Sequence, residues 1–316
     1  MKKQISFFLF GILLSILLLE GTTRLISPLL GPPLLKWNTM EDAKILKLEE
    51  YLDQFEQPQY VLMGNSTTLI GFDPTIFDNS LDLPLGSSFN AAMNGSDIER
   101  IRDFACSYII KNVSPKNLVI LFSYATMAQD LNYENKSCDG LSGSSILERN
   151  SYLLRYKNTF RDPMTVNTLI RILRFRDTRQ GIVYRWADNL DGFGYTKYGT
   201  STNTVDDPGW QPSTAPEDSR AIPIELASLR YLIEIRDMAK SMNVNLIIGT
   251  VPTLSYDLDY RSSIEEVAKK LGVKFIQGNN ALGEGKFFQD GVHLNRQGSI
   301  EFSRFLAREL PKLNSG

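Results

Sequence analysis

Short apolar runs alternate with amphipathic stretches along most of the chain. Tyr60-Val61-Leu62-Met63 reads as a short buried strand, and Ser88 to Met93 (SFNAAM) as a second. A helix follows from about Ser96 to Lys111, opened by a capping box of Ser96 and Glu99. Asn117 to Phe122 (NLVILF) is almost continuously apolar, as a central parallel strand buried on both faces should be. Farther on, the pattern predicts a helix at about Ile222 to Met242, a strand at Asn245 to Gly249, and a helix at about Arg261 to Leu271. A short strand, Val273 to Ile276, and a last helix from about Arg296 to Leu310 complete the series. Strands alternating with helices predict an α/β fold: a three-layer parallel sheet flanked by helices.

The alternation is preceded by a different pattern at the N-terminus and breaks once inside the frame. Met1-Lys2-Lys3 precedes an uncharged stretch from Gln4 to Leu19. Its length lies between that of a signal-peptide core and the roughly 20 residues of a spanning helix. No small-x-small cleavage site follows. Glu20 and Arg24 stand four apart, so they can pair on a continuing helix. A retained N-terminal transmembrane helix is the expectation and a cleaved signal peptide the alternative. Lys2 and Lys3 put the N-terminus on the cytoplasmic side, so either way the domain works outside the cytoplasm. The expected organisation is a transmembrane anchor at 1–26, a Pro-rich linker and amphipathic first helix (Thr39 to Phe55) at 27–58, and the α/β domain at 59–316. An insertion rich in Gly, Ser, Tyr and Arg interrupts that domain at about 132–219. Such a long interruption is usually a lid or binding element; for Asp191 to Pro216 a loose surface excursion fits equally well.

Charge and composition narrow the function classes. A formal net charge of -2 gives no field that would draw the chain to nucleic acid or anionic lipid. Cys106 and Cys138 have neither CxxC nor metal-ligand spacing, which leaves one disulfide or two buried thiols. With one histidine and no cysteine cluster, a metal centre would need carboxylates alone, and Asp206-Asp207 and Glu265-Glu266 read as solvated faces. No cofactor motif is present. Arg171, Arg174, Arg176, Arg179 and Arg185 fall partly at helical intervals, as a solvated face or as a surface for an anionic glycan.

The candidate chemistry starts at Gly64-Asn65-Ser66, which follows the first strand, where open α/β sheets bind ligands. A phosphate loop is excluded because no Gly-Lys-Ser/Thr follows at the required spacing, and GxSxG is absent. Alone, Ser66 fits a helix cap or turn residue better than a nucleophile. The far end of the chain shifts the weight. Asp290-Gly291-Val292-His293 contains the only histidine and precedes the last helix, with Gly298 in its first turns. Asp and His three apart can fold so that the carboxylate holds one imidazole nitrogen and the other faces outward, which is the base-and-orienter half of a Ser-His-Asp system. Glycosylation at the Asn65-Ser66-Thr67 sequon is then disfavoured, because a glycan there would block the site.

These motifs resemble the SGNH/GDSL hydrolases. Gly64-Asn65-Ser66 looks like their first block, Asn90 to Ser96 (NAAMNGS) like their second, and Asp290 to His293 with Gly298 like their last. The membrane-anchored extracytoplasmic branch, which includes the teichoic-acid D-alanyl transfer protein and the alginate O-acetylation proteins, is the most similar. The resemblance implies a flavodoxin-like sheet, Ser66 as nucleophile, His293 as base, Asp290 as orienter, and backbone N–H groups of Ser66 and Gly95 as oxyanion hole. The chain departs from the family after the third strand. The hydrolases carry an Asn there, whereas Ser123-Tyr124 stands here, so Asn94 or Ser123 would have to substitute. Loss of one such donor costs about 100- to 1000-fold in rate. The implied activity is that of a membrane-anchored serine esterase or O-acyltransferase, with acetyl as the expected group and an envelope or exported polysaccharide as acceptor. Acyl transfer outside the cell further implies a polytopic membrane acyltransferase as partner. The rival reading is a non-catalytic glycan-binding or assembly scaffold.

Overall fold

Continuous apolar runs become the central strands. The computed structural model describes residues 39–123, 186–196, 226–254, 258–278 and 281–314, with scattered helical residues between 10 and 22. Among them, helix α1 (Thr39–Leu52) leads to β1 (Tyr60–Met63), α2 (Ser66–Gly71), α3 (Pro74–Ser80) and β2 (Ser88–Asn90). Helix α4 (Ile98–Phe104) continues as a π-helical segment (Ala105–Val113) into β3 (Asn117–Phe122). Then come α5 (Leu226–Ser241), β4 (Asn245–Thr250), α6 (Leu258–Leu271), β5 (Lys274–Ile276), a 3-10 turn (Gly285–Phe287) and α7 (Arg296–Asn314).

The chain divides into two compact units, residues 1–46 with 144–188, and residues 47–143 with 189–316. In the first, Ala43 and Ala187 pack with Leu46 and Trp186. The second holds a five-stranded sheet in the order β2-β1-β3-β4-β5, with every pairing parallel. This is the expected flavodoxin-like order, and its direction reverses between β1 and β3. The carboxyl end of β1 therefore faces the crevice where such sheets bind ligands. Helices α2, α3 and α7 pack together, as do α4, α5 and α6. Alternate strand residues (Leu62, Val119, Leu121, Ile247) enter one core cluster with Phe72, Phe77, Phe302 and Leu306, the period-2 division that a pleated strand imposes.

Some element bounds differ from the pattern, each for a local reason. Strand β2 stops at Asn90, whose side chain turns back to donate to Phe72 O (2.7 Å) and Leu69 O (3.1 Å) while accepting from Ala92 N–H (3.1 Å). The cap of α4 is Asp97, accepting from Arg100 N–H, instead of Ser96 with Glu99; Ser96 Oγ is buried without a partner among the described residues. The π-helical segment replaces the expected continuous α-helix. Helix α7 runs past Pro311 to Asn314 instead of ending at Leu310. Part of the insertion is ordered on the frame: Leu190 and Thr196 pair in an antiparallel bridge, and Phe193 O accepts from Asn90 N–H of edge strand β2 (2.9 Å). Asp191 to Thr196 is thus built into the domain and is no loose excursion.

Most of the Gln4 to Leu19 run, with Glu20 and Arg24, lies outside the described residues, as do Arg171, Arg174, Arg176, Arg179, Arg185 and Asp206-Asp207. Its described residues are helical, with Phe10 and Leu18 each 63% exposed. Among the described residues no helix is long and apolar enough to cross a membrane. Cys106, buried on the π-helical segment, is disulfide-bonded, and the only other cysteine in the chain is Cys138. Glu265 and Glu266 are exposed, as their solvated-face reading expects.

The exit of β1 has room for no side chain at position 64. A Cβ on Gly64 would lie 2.7 Å from Leu121 O and 2.2 Å from Thr68 Oγ1. Because a backbone carbonyl of β3 cannot yield cheaply, Gly64→Ala should lose about 1–3 kcal/mol of stability through overpacking. Urea unfolding measures this, and a variant as stable as the parent would refute the packing argument.

Candidate active site

Asn65 shapes the turn after β1. As the N-cap of α2 it accepts from Thr67 N–H (3.1 Å) and Thr67 Oγ1 (2.6 Å), which fixes its amide orientation and leaves Nδ2 to donate to Ser123 Oγ (2.6 Å). The residue is buried with both ends of its side chain engaged, which agrees with rejecting the sequon. Ser66 becomes the first residue of α2, half-buried. Its backbone N–H has no partner among the described residues, as helix geometry leaves it.

The second loop is clamped at its base. Phe288 and Leu294, both buried in the core cluster, form an antiparallel bridge, and Gln289 N–H donates to His293 O (2.9 Å). Between them Asp290 Oδ1 accepts from Val292 N–H (2.8 Å) and His293 N–H (2.6 Å). Asp290 Oδ2 lies 2.8 Å from His293 Nδ1, and His293 Nε2 lies 2.9 Å from Ser66 Oγ. Burial pushes the Asp290 carboxyl up, but its bonds from the ring and the two backbone N–H groups outweigh this and hold it below the usual carboxylate range. An ionised Asp290 can only accept, so Nδ1 carries the proton and Nε2 presents its lone pair to the serine hydroxyl.

Helix α7 begins at the far side of the same loop. Asn295 caps it, accepting from Gly298 N–H (3.0 Å) and donating to Lys286 O (2.7 Å). A Cβ on Gly298 would stand 2.1 Å from Phe287 O, so close approach of the helix to the 3-10 turn accounts for this glycine.

The third loop follows β2. Met93 N–H donates to Gly64 O (3.0 Å), aligning the Asn94-Gly95 turn with the exit of β1. Gly95 adopts a left-handed conformation (φ +64°), and its N–H has no partner among the described residues. The Gly95 carbonyl accepts from Arg100 Nη1 (3.2 Å), while Asn94 is exposed. Ser123, the residue that follows β3, is buried and engaged with Asn65.

The structure thus joins Ser66, His293 and Asp290 in one hydrogen-bonded chain, with Asn94 and Gly95 on the neighbouring loop. Sequence reasoning did not single out Asp73, Arg296 or Tyr195, which lie beside this chain. Asp73-Pro74 carries a helix-start signal, but nothing local marks its bond to Arg296. No group of three or more metal-ligating side chains occurs among the described residues.

No known protein family and no curated protein matches the chain. Solved structures similar to it include a Bacteroides fragilis protein provisionally assigned as an acylhydrolase, at 11% identity and a TM-score of 0.42, over 85% of this chain and 97% of that one. Another is a GDSL-like lipase from Bacteroides thetaiotaomicron, at 13% identity and a TM-score of 0.43, over 86% and 98%. Likeness at this level is loose, and what the site can do follows from its own atoms.

The lowered Asp290 value gives stability a definite pH dependence. Because the folded value lies below the unfolded one, the contribution of Asp290 is present above the ordinary carboxylate value of about 3.9 and is lost as pH falls through the folded value. The difference in urea midpoint between the parent and Asp290→Asn should therefore be widest near neutrality and close on acidification. A gap constant from neutral to strongly acid pH would contradict the assignment.

Proposed function

We propose that the chain is a serine esterase or O-acyltransferase of the SGNH type, with Ser66 as nucleophile. The observation that carries this is the Ser66–His293–Asp290 hydrogen-bonded chain, in which every donor and acceptor has the sense that nucleophilic catalysis requires. His293 Nε2 takes the hydroxyl proton as Ser66 Oγ adds to an ester carbonyl. The developing oxyanion is held by the unpaired N–H groups of Ser66 and Gly95. Collapse expels the donor alcohol, which receives the proton from His293, and leaves an acyl group on Ser66. An incoming hydroxyl, deprotonated in turn by Nε2, then takes the acyl group and restores the serine.

The acyl group is proposed to be acetyl and the acceptor an envelope or exported polysaccharide, outside the cytoplasm on a single-pass anchor. The donor would be delivered by a polytopic membrane partner. Several features support this reading. Exposed apolar residues stand on the N-terminal helical stretch, where Ser15 Oγ and Thr22 Oγ1 donate back to Gly11 O and Leu18 O, as polar side chains do in apolar surroundings. A disulfide at Cys106 fits an oxidising compartment. One observation favours the scaffold reading instead: the residue that follows β3 is Ser123, held by Asn65, where the resemblance expects an Asn donor to the oxyanion.

A fluorophosphonate probe separates the two. Enzyme predicts labelling at Ser66, its absence in Ser66→Ala, and a rate in His293→Ala reduced on the order of 100- to 10,000-fold. An unlabelled parent that still binds oligosaccharide would establish the scaffold. Turnover of p-nitrophenyl acetate that rises with added oligosaccharide marks transfer over hydrolysis.

A further inference from the structure

We propose that Asp73 and Arg296 are a positioning pair that sets the approach of His293 to Ser66. The inference rests on the catalytic reading above and goes beyond it by naming what holds the two groups in register. Ser66 opens α2, which ends at Gly71, and Asp73 follows two residues on. Arg296 opens α7, three residues after His293. Arg296 Nη1 donates to Asp73 Oδ2 at 2.6 Å, so one ion pair ties the rear of the serine-bearing helix to the front of the helix that follows the histidine loop.

Each partner is itself fixed. Asp73 Oδ1 caps α3 by accepting from Thr75 N–H (3.0 Å), Thr75 Oγ1 (2.6 Å) and Ile76 N–H (3.3 Å), and Asp73 N–H donates to Ser303 Oγ on α7 (2.9 Å). The Asp73 side chain is only 4% exposed. Arg296 Nη1 also reaches Tyr195 Oη (3.5 Å), its guanidinium carbon lies 5.8 Å from the Tyr195 ring centroid, and Tyr195 Oη is 3.0 Å from Ser299 Oγ. Burial pushes the Arg296 pKa down, but the bonds to Asp73 and Tyr195 outweigh it, so the guanidinium keeps its charge.

Around Gly71 the contact between α2 and α7 is apolar. A Cβ on Gly71 would sit 3.3 Å from Leu294 Cδ1 and 3.6 Å from Phe302 Cδ1. Apolar packing holds the helices together without choosing a direction, so it resists separation more than sliding. A short charge-assisted hydrogen bond is directional, and with the Asp73 N–H to Ser303 Oγ bond it supplies that constraint. Proton transfer needs the heavy atoms within about 2.6–3.2 Å, and a misplacement of about 1 Å costs on the order of 100-fold.

The test uses the full chain with Asp73→Asn, Arg296→Gln and Arg296→Lys. Asn caps a helix about as well as Asp, so Asp73→Asn keeps α3 while discharging the pair. The expected result for Asp73→Asn and Arg296→Gln is a kcat per labelled Ser66 lower by about 100-fold, with KM and Tm little changed. Arg296→Lys should recover part of the rate. A second readout needs no turnover. His293 is the only histidine, so nitrogen-labelled histidine gives a single ring by NMR. In both discharged variants the Nε2 shift should move toward that of Ser66→Ala while the Nδ1–H signal to Asp290 persists. An Nε2 shift unchanged in both variants overturns the inference, whether or not the parent is an enzyme. So does an unchanged kcat per labelled site beside a lowered Tm. A displaced Nε2 shift in a parent that turns over no ester supports the positioning pair and refutes only the catalytic reading.

Discussion

The 2.9 Å contact between His293 Nε2 and Ser66 Oγ joins loops 227 positions apart, and the rest of the domain is arranged around making it. A parallel sheet is suited to this task, because every strand delivers its carboxyl end to the same edge. Strand β1 is paired on both sides, so its exit at Gly64 is held by β3 through Leu121 and by the β2 loop through Met93. The histidine loop has no such strand beneath it. It is held instead by burying its two ends, Phe288 and Leu294, in the cluster that contains Leu62 and Leu121. Core packing and site geometry are therefore one property here.

Electrostatics then selects what the contact can do. Asp290 is nearly half exposed, so solvent screens its hydrogen bond with the His293 ring and the bond contributes little energy. Its value is directional: two backbone N–H groups and Nδ1 converge on one carboxylate, and together they orient the ring. The opposite end of the site is sparser. The N–H groups of Ser66 and Gly95 have no partner among the described residues, and Ser123 beyond β3 is engaged with Asn65.

The parts of this arrangement that were legible in the sequence are those with a local signature. NLVILF and YVLM could be read as strands because burial on both faces demands unbroken apolar runs. Ser66, Asp290 and His293 could be read because one histidine, three residues from an aspartate, left few ways to build a base. Errors arose where a side chain chose between equal local options. Asp97 and Ser96 are both good caps, and the structure uses Asp97. Asn90 reads as strand until its amide turns toward Phe72 O and Leu69 O. Pairs such as Asn65 with Ser123, or Asp73 with Arg296, have no periodicity to betray them, since only the folded sheet makes them neighbours.

The insertion shows how an interruption can be tolerated beside such a site. A long excursion out of a sheet risks leaving β2 with an open edge, and unpaired edges invite association. Here the returning segment covers that edge itself, through Phe193 O on Asn90 N–H. Gly194 is required for the fit: its φ is +75°, and a Cβ would lie 2.3 Å from Asn90 O. The next residue, buried Tyr195, reaches Ser299 and Arg296 at the start of α7. This segment within the insertion is therefore fastened to the helix that follows the histidine loop.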